Sequence, residues 1–186
     1  MNKTGLIKMP ELFFTGQNLE GNEVGHSVRT LGDIIDIFED KAAASGADLS
    51  RIAYSVSSAF PVKEGTPGGL FFGITRIMPG KVGNEYFMTK GHYHKNSDTA
   101  EFYWGVEGEG VLIMMDLDRN VWAEKMFPGS LHYIPGNVAH RVANVGVTPL
   151  VFDACWPSDA GHNYEEIARN GFAMRLKEVD GRPVLL

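Results

Sequence analysis

What most constrains the fold of this chain is a succession of short runs rich in Val, Ile, Phe and Tyr, separated by Gly, Pro and Asn. The runs cover 51–58, 70–78, 85–89, 100–104, 110–116, 121–127, 130–134, 138–145 and 149–156. β-Branched and aromatic residues suit a pleated, half-buried surface, and turn residues at near-even spacing leave no room for helices between the strands. Such a pattern closes as a sandwich, jelly roll or barrel and excludes a doubly wound nucleotide fold. The expected fold class is therefore all-β, with a few peripheral helices.

The flanks are less regular. Residues 1–50 read as an N-terminal arm, interrupted by Gly5, Gly16, Gly21 and Gly25, followed by one helix. Thr30 and Asp33 resemble a capping pair, and Leu31, Ile34, Ile35 and Phe38 recur at helical spacing until Gly46. Residues 51–156 form the barrel core. In 157–186 a loop precedes a short helix over 164–169 and a final strand over 172–179 that turns at Asp180-Gly181. At 186 residues, with no internal repeat or linker, 1–186 is read as one domain.

Composition excludes several function classes. A net charge of −6 argues against a nucleic-acid surface, although one phosphate group can still be held by hydroxyls and backbone N–H groups. No run is long enough to span a membrane, and Met1-Asn2-Lys3-Thr4-Gly5 does not open a secretory signal, so a cytoplasmic location is expected. Cys155 is the sole cysteine, which rules out an internal disulfide or a thiolate metal cluster. Between Ala154 and Trp156 it reads as core filler.

Metal-ligating residues recur at informative positions. In Gly91-His92-Tyr93-His94 two imidazoles stand at i and i+2, which on a strand leave the same face. In Ala100-Glu101-Phe102-Tyr103-Trp104, Glu101 and Tyr103 share one face. There Glu101 either meets solvent on an edge strand or is buried and needs a positive partner, which a metal would supply. A third histidine, His140, follows the Pro135-Gly136 turn.

These segments resemble the two motifs of the cupin superfamily. His92, His94, Glu101 and Gly108 match the first, and Gly129, Pro135, His140 and Asn144 match the second. Six residues separate His94 from Glu101 where the general motif has three or four, and Asn137 stands where glycine is usual. The longer spacing, the run from Pro79 to His94 and the later Asp159-Ala160-Gly161-His162-Asn163-Tyr164 are similar to the cupin-type glucose-6-phosphate isomerases.

That resemblance, which runs from about Leu70 to Phe172, implies a cupin jelly-roll barrel and a metal site of His92, His94, Glu101 and His140. It implies one divalent metal per subunit, Fe2+ first, with Mn2+, Ni2+, Co2+ or Zn2+ also suited to three imidazoles and a carboxylate. Glu101, Tyr103 and His162 take catalytic roles. Tyr54, Thr75, Thr89, Gly91, Trp156 and Tyr164 bind substrate, Trp156 standing where tyrosine is usual in the family. The implied activity is aldose–ketose interconversion of glucose 6-phosphate and fructose 6-phosphate, within glycolysis and gluconeogenesis. The N-terminal arm is expected to protect an edge by adding strands to a partner's sheet, giving a homodimer. Two rival readings share the ligand set: a dioxygenase using Fe2+, which oxygen uptake would reveal, and a non-catalytic barrel that binds a sugar phosphate.

Overall fold

The computed structural model describes residues 7–15 and 18–186, so Met1–Gly5 and Gly16 lie outside the described residues. The strands in chain order are β1 (Leu12–Phe14), β2 (Leu19–Gly21), β3 (Val24–Thr30), β4 (Ile52–Ala59), β5 (Leu70–Ile77), β6 (Lys81–Val82), β7 (Glu85–Tyr86), β8 (Glu101–Glu107), β9 (Gly110–Met115), β10 (Val121–Met126), β11 (Leu131–Ile134), β12 (Ala139–Asn144), β13 (Leu150–Pro157), β14 (Leu176–Val179) and β15 (Arg182–Leu185). A six-stranded antiparallel sheet of order β11-β8-β13-β5-β4-β3 packs against a three-stranded sheet of order β10-β9-β12. A four-stranded sheet, β15-β14-β7-β6, flanks the smaller wall. This is the all-β jelly-roll architecture expected of a cupin, and its core includes Ile77, Phe87, Leu112, Met114, Ile134 and Leu150. Among the described residues no helix is long and apolar enough to cross a membrane.

The alternation in the sequence sets the two faces of the large sheet. On β8, Glu101 and Tyr103 are buried inward while Phe102, 45% exposed, faces outward. On β13, Phe152, Ala154 and Trp156 face the interior cavity, and Val151 and Asp153 take the other face. That outer face is partly covered by the β1–β2 hairpin, whose Leu12 and Leu19 pack with Ala59, Ile74 and Val151.

Four local expectations need correction. The segment from Leu31 to Gly46 is not one helix. Successive bonds from Asp33 N to Thr30 O, Ile34 N to Leu31 O and Ile37 N to Ile34 O tighten it into turns, with a 3-10 helix at Ile35–Ile37. Asp40 then caps a separate helix α1 (Lys41–Ser45), its carboxylate accepting from Ala43 N. Run 85–89 supplies strand only at Glu85–Tyr86. From Met88 onward the backbone joins β12 through isolated pairings, Met88 with Ala143 and His92 with His140. The last run begins as strand only at Leu176, after α2 (Glu165–Asn170), and the Asp180-Gly181 turn leads into β15. Finally, β3 pairs with β4 and so extends this chain's own sheet, and β1 pairs with β2.

Candidate active site

Glu101 is held at the start of β8, a strand flanked on both sides by β11 and β13, which removes the exposed-edge alternative. His140 lies on β12, in the opposite sheet. His92 is fastened to it by a reciprocal backbone pair, His92 N to His140 O at 3.2 Å and His140 N to His92 O at 3.0 Å. Tyr93 pairs in the same way with Asn163, so the His92 and His94 side chains are fixed without a regular strand.

The two departures from the general motifs meet in space. Residues 95–100 fold back so that Thr99 O accepts from His94 Nδ1 at 2.9 Å. The β11–β12 turn packs on this loop, with Asn137 N donating to Ser97 O at 2.7 Å. Asn137 has φ of +61°, a left-handed conformation that asparagine tolerates better than other side-chain-bearing residues. It thus does the work of the more usual glycine.

One ligand atom from each of His92, His94, Glu101 and His140 lies within 4.8 Å of the others, and all four residues are buried. Their hydrogen bonds show what the cluster lacks. His94 Nδ1 faces Thr99 O and His140 Nδ1 faces Val138 O at 3.2 Å, so in both rings Nδ1 carries the proton and Nε2 presents a lone pair. Both lone pairs point at Glu101 Oε1, at 3.2 Å from His94 Nε2 and 2.6 Å from His140 Nε2. The His140 Nε2 atom has no hydrogen bond among the described residues. A buried set of converging acceptors is stable only around a cation, and backbone carbonyls fixing the far ring nitrogens are the usual outer support of metal-bound histidine. The donor set fits a divalent metal.

Electrostatics agree with that assignment. Burial, reinforced by His140 and His162, holds His92 well below the ordinary imidazole range, so it stays neutral and able to ligate. Burial opposes ionisation of Glu101, but the His140 and His94 rings beside it outweigh burial and hold its carboxyl below the usual range. The same pairing raises His94 against burial, so positive charge on the Nε2 side, from a proton or a metal ion, is what keeps the carboxylate ionised. Burial and then Glu101 hold the Tyr103 phenol far above its usual value, so it remains a proton donor. His162 is lowered chiefly by burial.

The cluster forms the floor of a cavity of about 1230 Å³. Tyr54, Thr75, Thr89, Gly91, Trp156, His162 and Tyr164 all reach its wall, together with Tyr103, Glu101, His92 and His140, whereas His94 sits behind the others. His162 and Tyr164 stack at 5.7 Å and the His162 ring lies 4.4 Å from His92. Trp156 covers Gly73, where any Cβ would come within 3.0 Å of the indole. Burial raises the Tyr54 phenol to about 12.

Comparison with known proteins decides the family. The family model described as Glucose-6-phosphate isomerase (GPI) matches residues 28–184. This chain belongs to the glucose-6-phosphate isomerase family. Its relatives include the glucose-6-phosphate isomerases of Thermococcus litoralis, 38% identical over 86% of this chain and 84% of that one, and of Pyrococcus abyssi, 41% identical over 83% and 82%. Among solved structures, oxalate decarboxylase from Bacillus subtilis aligns with a TM-score of 0.46 and 20% identity, covering 59% of this chain and 26% of that chain.

In this family member five basic residues that sequence reasoning did not assign to the site also line the cavity: Arg29, Lys90, Arg141, Arg169 and Arg175. Arg141 is buried and forms none of the ion pairs found among the described residues. Burial, with the neighbouring Arg175 adding to it, pushes its guanidinium down to about 9. The available signal was its place in a strand run with no other charge. His132 lies apart from the cluster, bonded to Glu124 and Ser130.

Proposed function

We propose that this chain interconverts glucose 6-phosphate and fructose 6-phosphate in a metal-dependent reaction. The observation that carries this reading is the convergence of buried lone pairs at the floor of a cavity whose wall also offers neutral hydroxyl and backbone donors suited to a phosphoryl group. His92, His94, Glu101 and His140 would hold the ion, Fe2+ first, with Mn2+, Ni2+, Co2+ or Zn2+ as alternatives. When bound, such an ion brings two neighbouring sugar oxygens together and polarises the carbonyl.

The chain's own residues divide the remaining work. Tyr54, Thr75, Thr89 and the Gly91 N–H bind the phosphoryl end, while Trp156 and Tyr164 flank the sugar. Thr89 Oγ already accepts from Val142 N at 3.1 Å, which leaves its hydrogen free to donate into the cavity. Glu101 takes the C2 proton as a base and returns it to C1, converting aldose to enediol to ketose. Tyr103, kept protonated, and His162, kept neutral, hold the hydroxyl protons that must pass between O1 and O2. A homodimer in the cytoplasm completes the reading; the aromatic pair Phe102 and Tyr133, with Leu131, leaves an apolar outer sheet face that a second subunit can cover.

The test is direct. Protein reconstituted with each of the five metals is offered glucose 6-phosphate, and fructose 6-phosphate is followed by a coupled assay, with oxygen uptake measured in parallel. Product formation that a chelator abolishes is expected. Absence of product with every metal rejects the reading, and stoichiometric oxygen consumption would replace it with a dioxygenase.

A further inference from the structure

Arg141 presents a physical puzzle that the proposed chemistry does not use. Its side chain is buried, its Nε has no hydrogen bond among the described residues, and the acid whose field reaches it, Glu85, is already engaged by Arg175 Nη1 at 2.7 Å and Glu39 N at 2.6 Å. A buried guanidinium without its own carboxylate is costly, so the position must return something. What Arg141 does contact is specific. Nη2 donates to the carbonyl oxygen of Lys90 at 2.5 Å, Nη1 approaches Met88 Sδ at 3.3 Å, and the guanidinium lies 4.3 Å over the Phe172 ring.

The Lys90 carbonyl belongs to the same peptide unit as the Gly91 N–H. None of the described peptide bonds is cis, and in a trans peptide the C=O and N–H point in opposite directions. With the carbonyl held by Arg141, the Gly91 N–H is turned the other way, and Gly91 lies on the cavity wall. That N–H makes no backbone hydrogen bond among the described residues, whereas Thr89 N is spent on Val142 O and His92 N on His140 O. The packing leaves no slack. Gly91 has φ of +78°, and a Cβ there would lie 2.9 Å from Arg141 Nε and 2.8 Å from Phe172 Cε2.

We propose that Arg141 is a positioning residue for substrate, holding the Lys90–Gly91 peptide so that the Gly91 N–H faces the phosphoryl group and lending that group its positive charge through the polarised peptide. The inference rests on the sugar-phosphate reading of the cavity and deepens it. A guanidinium donating to a carbonyl polarises the amide and strengthens the N–H at its other end. A bound dianion supplies the counter-charge that Arg141 lacks. Fixing one peptide in advance also removes ordering entropy from binding, which favours phosphorylated over neutral sugars.

The experiment uses metal-loaded protein with inorganic phosphate as the probe, in wild type and in Arg141→Met, which keeps an unbranched side chain against Phe172 but removes charge and donors. We expect the inhibition constant of phosphate and the KM for fructose 6-phosphate to rise together by roughly 10- to 100-fold, the size of a lost charge-assisted contact, with a far smaller change in kcat. Metal content should hold. In wild type, amide NMR should show the Gly91 N–H shifting downfield as phosphate is added, a readout that needs no variant and decides the matter should Arg141→Met fail to fold. A Gly91 resonance that does not respond to saturating phosphate, or an Arg141→Met inhibition constant equal to wild type, overturns the inference. Failure of the isomerase reading looks different, since wild-type protein would then form no fructose 6-phosphate while phosphate could still shift Gly91.

Discussion

Asp153 offers a sharp test of how this barrel handles charge. It lies on β13 in register with Ile74 on β5 and Trp104 on β8, on the sheet face away from the cavity, and is fully buried. Neither carboxylate oxygen has a hydrogen bond among the described residues. Burial raises the group from 3.8 to about 6, opposed only by the nearby Trp104 indole. Because the folded value lies above the unfolded one, the folded state holds the proton more tightly, and stability falls as pH rises from about 4 to about 6. A shift of about two units corresponds to at most about 3 kcal/mol, lost in full above that window. Asp153→Leu should therefore be more stable than wild type at pH 8 by about 2–3 kcal/mol, with the melting temperature up by roughly 4–12 °C, and much of the gain should vanish at pH 4. Urea unfolding of both proteins from pH 4 to 8, at saturating metal, isolates the Asp153 contribution as the difference between the two curves. If that difference is flat across the range, the carboxylate is not paying a burial penalty and the reasoning is wrong.

The candidate site yields three further expectations. His140→Ala removes the ligand that joins the two sheets and should lower metal content from close to one per subunit to a small fraction, as read by elemental analysis; retention of full metal would refute the ligand set. Thr89→Val should raise the Michaelis constant by an amount equivalent to about 1.5–3 kcal/mol with metal unchanged, and because it also orphans the Val142 N–H, Thr89→Ser is the control that should restore both substrate binding and stability. Glu101→Gln should isomerise roughly 100- to 10,000-fold more slowly even at saturating metal, and wild type working in deuterated water should place deuterium in the product, whereas near-wild-type rates in the variant would remove Glu101 as the base.

Local alternation made the barrel legible. That Glu101 and Tyr103 share one face and Phe102 takes the other could be read from period two alone, and so could most strand limits, whereas which face is buried follows from the strands β11 and β13 on either side of β8. The helix over 31–46 failed because Leu31, Ile34 and Phe38 are buried at helical spacing by a train of tight turns just as well as by a helix. Asp33, which looked like half of a capping pair, does accept from Thr30 N and Oγ, but the chain turns again at Asp40. Arg141 was missed for a different reason. Alternation places Arg141 on the strand face opposite His140, but its partners are the Lys90 carbonyl in the 88–92 backbone that runs beside β12 and the Phe172 ring, segments remote in sequence whose docking no local pattern reveals. Asp153 was equally hidden, since its burial depends on strands β5 and β8 arriving on either side.

The ligand cluster straddles a seam. Glu101 belongs to the six-stranded sheet, while His140 and the backbone that carries His92 belong to the opposite wall. An ion gripped there is a rivet between two sheets as well as a reagent, and its binding free energy counts toward keeping the barrel shut. Stripped of metal, the seam is left with the contacts of Glu101 Oε1 to His140 Nε2 at 2.6 Å and to His94 Nε2 at 3.2 Å, which are attractive only with a proton between the partners, so a strong fastening is exchanged for a weaker one that depends on pH. With an ion bound at the proposed site, damage elsewhere in the barrel would be masked by abundant metal and exposed by scarcity, and metal supply would govern how long the folded protein survives as well as how fast it turns over.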